Sequence, residues 1–182
     1  ATNWLNTVQY IILSELSSSN FYTEQNKNLK SFVSLGNMAL LVEEAMGDGL
    51  GFAGLQFKAL HMSQVSWADG LDGKINVFFW KFKLSARNAY ARWGDKCGKE
   101  IVKDFAKNPE TLHSFVLVIQ PNDPDKIEYN AMGLADPEAR PFKKCIIERN
   151  HGTVVEEGGY YEFPVMGVRW ETLPEEMYGR GP

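Results

Sequence analysis

The stretch Gly94-Asp95-Lys96-Cys97-Gly98-Lys99-Glu100 comes nearest to a chemical motif in this chain, and the chemistry would be phosphate binding. A phosphate loop needs four residues between its glycines, then Lys and a hydroxyl side chain for magnesium. Here three residues separate the glycines, and Glu100 stands where the hydroxyl should be. A carboxylate there repels phosphate, so the segment reads as a helix C-cap and turn. The histidines, His61, His113 and His151, are far apart, and none lies in a paired zinc-ligand spacing. Glu43-Glu44, Glu156-Glu157 and Glu175-Glu176 are adjacent carboxylates. Neighbours in a strand point to opposite faces, so the first two pairs make poor acid–base dyads. No nucleophile elbow of the Gly-x-Ser-x-Gly type occurs. The reading assigns no catalytic residue, no cofactor-binding residue, no metal ligand and no enzymatic activity.

One segment interleaves cations with rings: Lys74, Lys81, Lys83, Arg87 and Arg92 among Phe79, Trp80, Tyr90 and Trp93. Cations on phosphates and rings under bases would suit a nucleic acid. The chain carries 19 Lys plus Arg against 23 Asp plus Glu, a formal charge of −4. That balance favours an aromatic core strand with a cationic outer face, and argues against direct DNA binding by this segment. Two cysteines, Cys97 and Cys145, make no disulfide framework and read as reduced thiols. The longest apolar runs are strand-length, far short of the ~20 residues of a membrane helix, so no membrane partner is expected.

The elements around these residues follow from periodicity and punctuation. Trp4, Val8, Ile11, Ile12 and Leu16 share a helix face over residues 3–17. After the serines at 17–19, a second helix is expected over Phe21–Leu35, burying Leu29, Phe32 and Val33, with Gly36 at its C′ position. The two should form an antiparallel hairpin. Strands are expected at Asn37–Glu43 and Phe52–His61. A hairpin should join Ser63–Ala68 to Lys74–Leu84 around the Asp-Gly turn at 69–73. Ser85 should cap a helix ending at Gly94, and a second should run Lys99–Lys107 before Asn108-Pro109. Leu112–Gln120 is β-prone, residues 121–141 form a proline-rich arm, and Phe142–Arg149 with Thr153–Glu157 make another hairpin. Tyr160–Thr172 supplies a last strand, at a sheet edge or beginning near Pro164. The fold class is α+β: an N-terminal helical hairpin (1–36), then a mainly antiparallel, barrel-like β domain with short inserted helices (37–182).

Residues 160–170, Tyr-Tyr-Glu-Phe-Pro-Val-Met-Gly-Val-Arg-Trp, followed by Tyr178-Gly179-Arg180-Gly181-Pro182, resemble a signature of the head-to-tail connector, or portal, family of short-tailed phages. Ser19-Asn20-Phe21-Tyr22 is similar to that family's helix-to-helix junction, and Gly36 to its entry into the β region. The structural positions carried by the resemblance are Ser19, Asn20, Phe21, Tyr22, Gly36, Tyr161, Phe163, Pro164, Arg169, Trp170, Tyr178, Gly179, Arg180, Gly181 and Pro182. The resemblance implies a non-enzymatic, ring-forming subunit of the virion, made in the bacterial host cytoplasm. The ring would generally hold twelve copies, with capsid, packaging motor and tail adaptor as partners and DNA passing through it. It also implies a single wing-like domain, and a segment of a longer chain. Another phage adaptor or tail protein of similar build is the alternative. Pro164 and Pro182 bias their predecessors toward extended backbone, so 178–182 reads as a rigid corner. Arg169, Trp170 and Arg180 would orient it, each arginine fitted to a carboxylate.

Overall fold

The computed structural model describes residues 2–45, 53–173 and 176–182. In chain order the elements are α1 Thr2–Ser18, α2 Phe21–Leu35, β1 Asn37–Glu44, β2 Leu55–Leu60, β3 Val65–Asp69, β4 Ile75–Ser85, α3 Ala86–Trp93, α4 Lys99–Lys107, β5 Leu112–Pro121, β6 Phe142–Glu148, β7 Val154–Tyr160 and β8 Val165–Arg169. The class is α+β, with the N-terminal helices preceding the strands. The strands form two antiparallel sheets, ordered β2-β1-β8 and β3-β4-β5-β6-β7. Two compact units result: 1–63 with 164–182, and 64–163.

In the first unit, the apolar run of β1 occupies the central strand, and Ala39, Leu40 and Leu41 are buried. Helix α2 closes the open edge of β2, where unpaired backbone groups would otherwise invite another strand. Asn20 Nδ2 donates to Phe57 O at 2.7 Å, and Phe57 N donates back to Asn20 Oδ1 at 2.9 Å. Ala59 N donates to Glu24 Oε2 at 2.9 Å, and the Phe21 ring meets Phe57 edge-on at 5.0 Å. These contacts set the helix's rotation. At about 100° per residue, positions 20, 21, 24, 28 and 32 share one arc with Asn28 at its middle. The expected burial of Leu29 and Val33 is therefore not met: both are exposed, and Phe32 is half-buried. Most apolar residues of α1 are exposed too, Trp4 68% and Tyr10 75%, while Val8 and Leu16 are half-buried.

Asn28 is the exception in that buried arc. It is 1% exposed, and neither its Oδ1 nor its Nδ2 has a hydrogen-bond partner among the described residues. An unsatisfied buried polar group costs about 1–3 kcal/mol. Asn28→Leu, close in shape, is expected to recover about 1–2 kcal/mol of that, read as a higher urea midpoint at unchanged slope. A lower midpoint would mean that the amide has a partner to lose.

In the second unit the sheet is a meander, with α3 and α4 inserted between β4 and β5. Ser85 caps α3 by accepting from Asn88 N, as expected, and α4 spans the expected residues. One sheet face, carrying Trp67, Phe78, Trp80, Phe115, Leu117 and Ile146, is buried. Trp93 lies 4.9 Å from Phe115, and Ala86, Ala89 and Ile101 of the helices are buried as well. After Tyr160 the chain leaves this sheet, and β8 begins after Pro164 as an edge strand on β1.

Candidate functional site

The densest assembly of the singled-out residues is a clasp in the first unit, where the last residues fold back onto the α2–β1 junction. Helix α2 ends in the left-handed conformation at Gly36, φ +70°, whose N–H donates to Phe32 O at 2.8 Å. That turn aims Gly36 O at Trp170 N, 2.8 Å away, and brings the Trp170 ring to 5.1 Å from Phe32. Asn37, 5% exposed, treats Gly179 as a strand neighbour would. Gly179 N donates to Asn37 Oδ1 at 2.6 Å, and Asn37 Nδ2 donates to Gly179 O at 2.8 Å and Leu35 O at 2.9 Å. Arg180 N donates to Glu171 O at 2.8 Å, making an isolated bridge.

Glycine is required here for space. A Cβ on Gly36 would run into the backbone of Arg180 and Gly181, and one on Gly179 would lie 2.6 Å from Gly36 O. Outside this cradle, Arg180 Nε donates to Glu176 Oε1 at 3.0 Å and its Nη2 meets the same oxygen. Leu173 N donates to Glu176 Oε2 at 3.1 Å. That backbone bond, helped by Arg180, holds the Glu176 carboxyl below its ordinary pKa.

The clasp gathers Gly36, Arg169, Trp170, Gly179, Arg180 and Gly181. Ser19, Asn20, Phe21 and Tyr22 sit at the other end of α2, where Asn20 and Phe21 hold β2. Pro164 O accepts from Val42 N at 2.9 Å. Tyr161 and Phe163 belong to the second unit. Tyr161 Oη accepts from Ala135 N at 2.9 Å and donates to Ala135 O at 3.2 Å, under the Arg140 guanidinium. Phe163 packs on Phe142 at 5.5 Å. Asn37 was read only as the start of a strand, although it is the residue that fastens the clasp.

The second unit has two carboxylate hubs that spacing did not reveal. Glu148 is buried and accepts from Asn150 N (2.9 Å), His151 N (2.8 Å) and His151 Nδ1 (3.0 Å), fastening the β6–β7 turn. Glu156 takes Trp93 Nε1 at 2.8 Å, Arg92 Nη2 at 3.0 Å and Lys144 Nζ at 2.8 Å, whereas Glu157 faces Lys143. Burial would raise the Glu156 pKa, but these bonds outweigh it and hold the carboxyl low.

His113 and His151 converge on one cleft with Cys97, Glu100 and Glu148. His113 Nε2 lies 3.2 Å from Asp104 Oδ2, and His151 Nε2 lies 3.2 Å from Glu100. The described residues contain no group of three or more His, Cys, Asp or Glu placed to hold a metal ion. Both cysteines are free thiols. In the cation–ring segment, Trp80 and Trp93 are core residues, Tyr90 stacks on Phe105, and Phe79 is exposed. Among the described residues, no helix is long and apolar enough to cross a membrane. Glu175 and Phe52 lie outside the described residues.

A search of curated proteins finds no match to the chain. The family model described as "Bacteriophage head to tail connecting protein" matches residues 1–182. The chain belongs to that family of phage head-to-tail connectors.

Proposed function

We propose that this connector-family chain is a subunit of the portal ring at a capsid vertex. The ring, of about twelve copies by the resemblance, nucleates head assembly, docks the packaging motor, passes DNA inward and outward, and holds the tail adaptor. This segment contributes to its outer, wing-like region. The match along the whole chain carries the reading.

The surface of α1 supports it. Leu5, Tyr10, Ile11, Ile12 and Leu13 are all exposed, and Glu15 is the helix's sole charged side chain. A helix apolar on several sides belongs inside a larger structure. Each isoleucine buried in an assembly contributes about 1.5–3 kcal/mol, and a lysine in its place adds a desolvation cost. Ile11→Lys combined with Ile12→Lys in the full-length protein is expected to cut the assembled fraction at least about tenfold, the equivalent of 1.4 kcal/mol. Circular dichroism and melting of the dissociated subunit should stay unchanged. Light scattering that shows undiminished assembly would remove α1 from the contact.

A further inference from the structure

We infer that the arm of residues 122–139 in one copy docks on the open face of the five-stranded sheet in the next copy. The inference rests on the assembly reading above and names the surfaces that meet.

The receiving face follows from strand register. Phe79, Lys81 and Lys83 of β4 stand opposite Val118, Val116 and Ser114 of β5, and Val118 and Val116 stand opposite Cys145 and Ile147 of β6. Directly paired residues share a face, so these form the side away from the buried core. Its centre is apolar and half-exposed, and Lys81 and Lys83 are exposed on it. Neither lysine has a carboxylate in ion-pair range among the described residues. The surface is thus an apolar strip beside two free positive charges.

The arm has the opposite character. It carries Asp123, Asp125, Glu128, Asp136 and Glu138 against Lys126 alone, a net charge of −5 + 1 = −4. Its tip is a preformed turn: Asn130 Oδ1 accepts from Met132 N at 2.9 Å and Leu134 N at 3.0 Å, and Asn130 N donates to Leu134 O at 2.8 Å. Gly133 supplies the positive φ, +75°, that closes it. The turn holds Met132 85% exposed and Leu134 55% exposed, while the arm's base lies against Gly159 of β7. Its base is pinned by Ala135 on the Tyr161 hydroxyl and by Arg140 Nη1 donating to Gly159 O at 3.0 Å.

A loop ordered before binding loses little entropy on docking, which favours it as a recognition element. The occupant that fits is a second copy, because one chain supplies both an acidic apolar knob and a cationic apolar face. Two different patches meeting make a head-to-tail contact, the kind that closes into rings. Tyr161 thereby acquires a role as the anchor of the arm.

The test is Met132→Cys in the full-length protein, treated with a short bismaleimide linker. Cys145 lies on the receiving face, and Cys97 is buried. The expected product is a ladder of covalent multimers that Cys145→Ser abolishes. Lys81→Glu with Lys83→Glu should lower its yield at least tenfold, and adding Asp123→Lys with Glu128→Lys should restore it. Rings without a Cys145-dependent ladder, or a ladder indifferent to the charges, overturn this inference and leave the ring reading standing. A charge-sensitive ladder without rings supports the contact and overturns the ring. Neither ladder nor rings overturns both.

Discussion

Gly36→Ala is expected to destabilise the first unit by about 1–5 kcal/mol, more than the same change at a turn with open space around its glycine. The left-handed backbone alone accounts for about 1–2 kcal/mol in a residue with a side chain. Alanine's smaller unfolded-state entropy offsets about 0.4–1 kcal/mol of that. The rest comes from space. The new methyl occupies the position of the Arg180–Gly181 backbone, so residues 178–182 must leave. Their departure breaks the two Asn37–Gly179 bonds and leaves the Asn37 Oδ1 unsatisfied, at about 1–3 kcal/mol. Gly133 is the control: its φ is +75°, yet a Cβ there meets nothing within 4 Å. Gly133→Ala should therefore lose only the strain less the same entropic offset, about 0–1.5 kcal/mol. Equal urea midpoints for the two variants would mean that the clasp does not hold the C-terminal residues.

Glu148→Ala is the second large effect, expected at about 2–4 kcal/mol because a buried charged acceptor of three hydrogen bonds disappears. Burial would raise the Glu148 pKa. The Asn150 and His151 amides and the His151 ring outweigh it, and hold the carboxyl below its ordinary value of 4.5. A group with a depressed folded pKa contributes stability above its unfolded pKa, and that contribution fades as pH falls through the folded value. Wild-type stability should thus drop as pH falls below about 4.5, and Glu148→Gln should flatten that drop while lowering stability at pH 7. A pH profile unchanged by Glu148→Gln would show that the β6–β7 turn does not depend on this charge.

Where local chemistry decides structure, the sequence was legible. Ser85 and Gly94 bracket α3, and α4 stops at Asn108-Pro109, because caps and prolines act on their own neighbours. The β3–β4 hairpin followed from its alternation and Asp-Gly turn. Long-range pairings left no such trace. Asn37 and Gly179 are 142 residues apart, and an asparagine at a strand start looks the same whether or not it fastens a distant segment. The rotation of α2 was misread for a related reason. Apolar spacing favoured Leu29 and Val33 as the buried side, but Asn20 and Glu24 bind the β2 edge and turn Asn28 inward. The exposed apolar residues of α1 and of the 122–139 arm resemble core residues in a sequence and show their exposure only in the fold. The three histidines are distant in sequence, and only the β5 and β6–β7 positions bring two of them to one cleft.

Negative-stain electron microscopy of the full-length protein tests the central claim most directly. The account predicts closed rings with a central hole, lost in the α1 lysine variant. Compact particles without a hole, across salt and protein concentration, would contradict it and leave a connector-family subunit that serves as an adaptor or tail component.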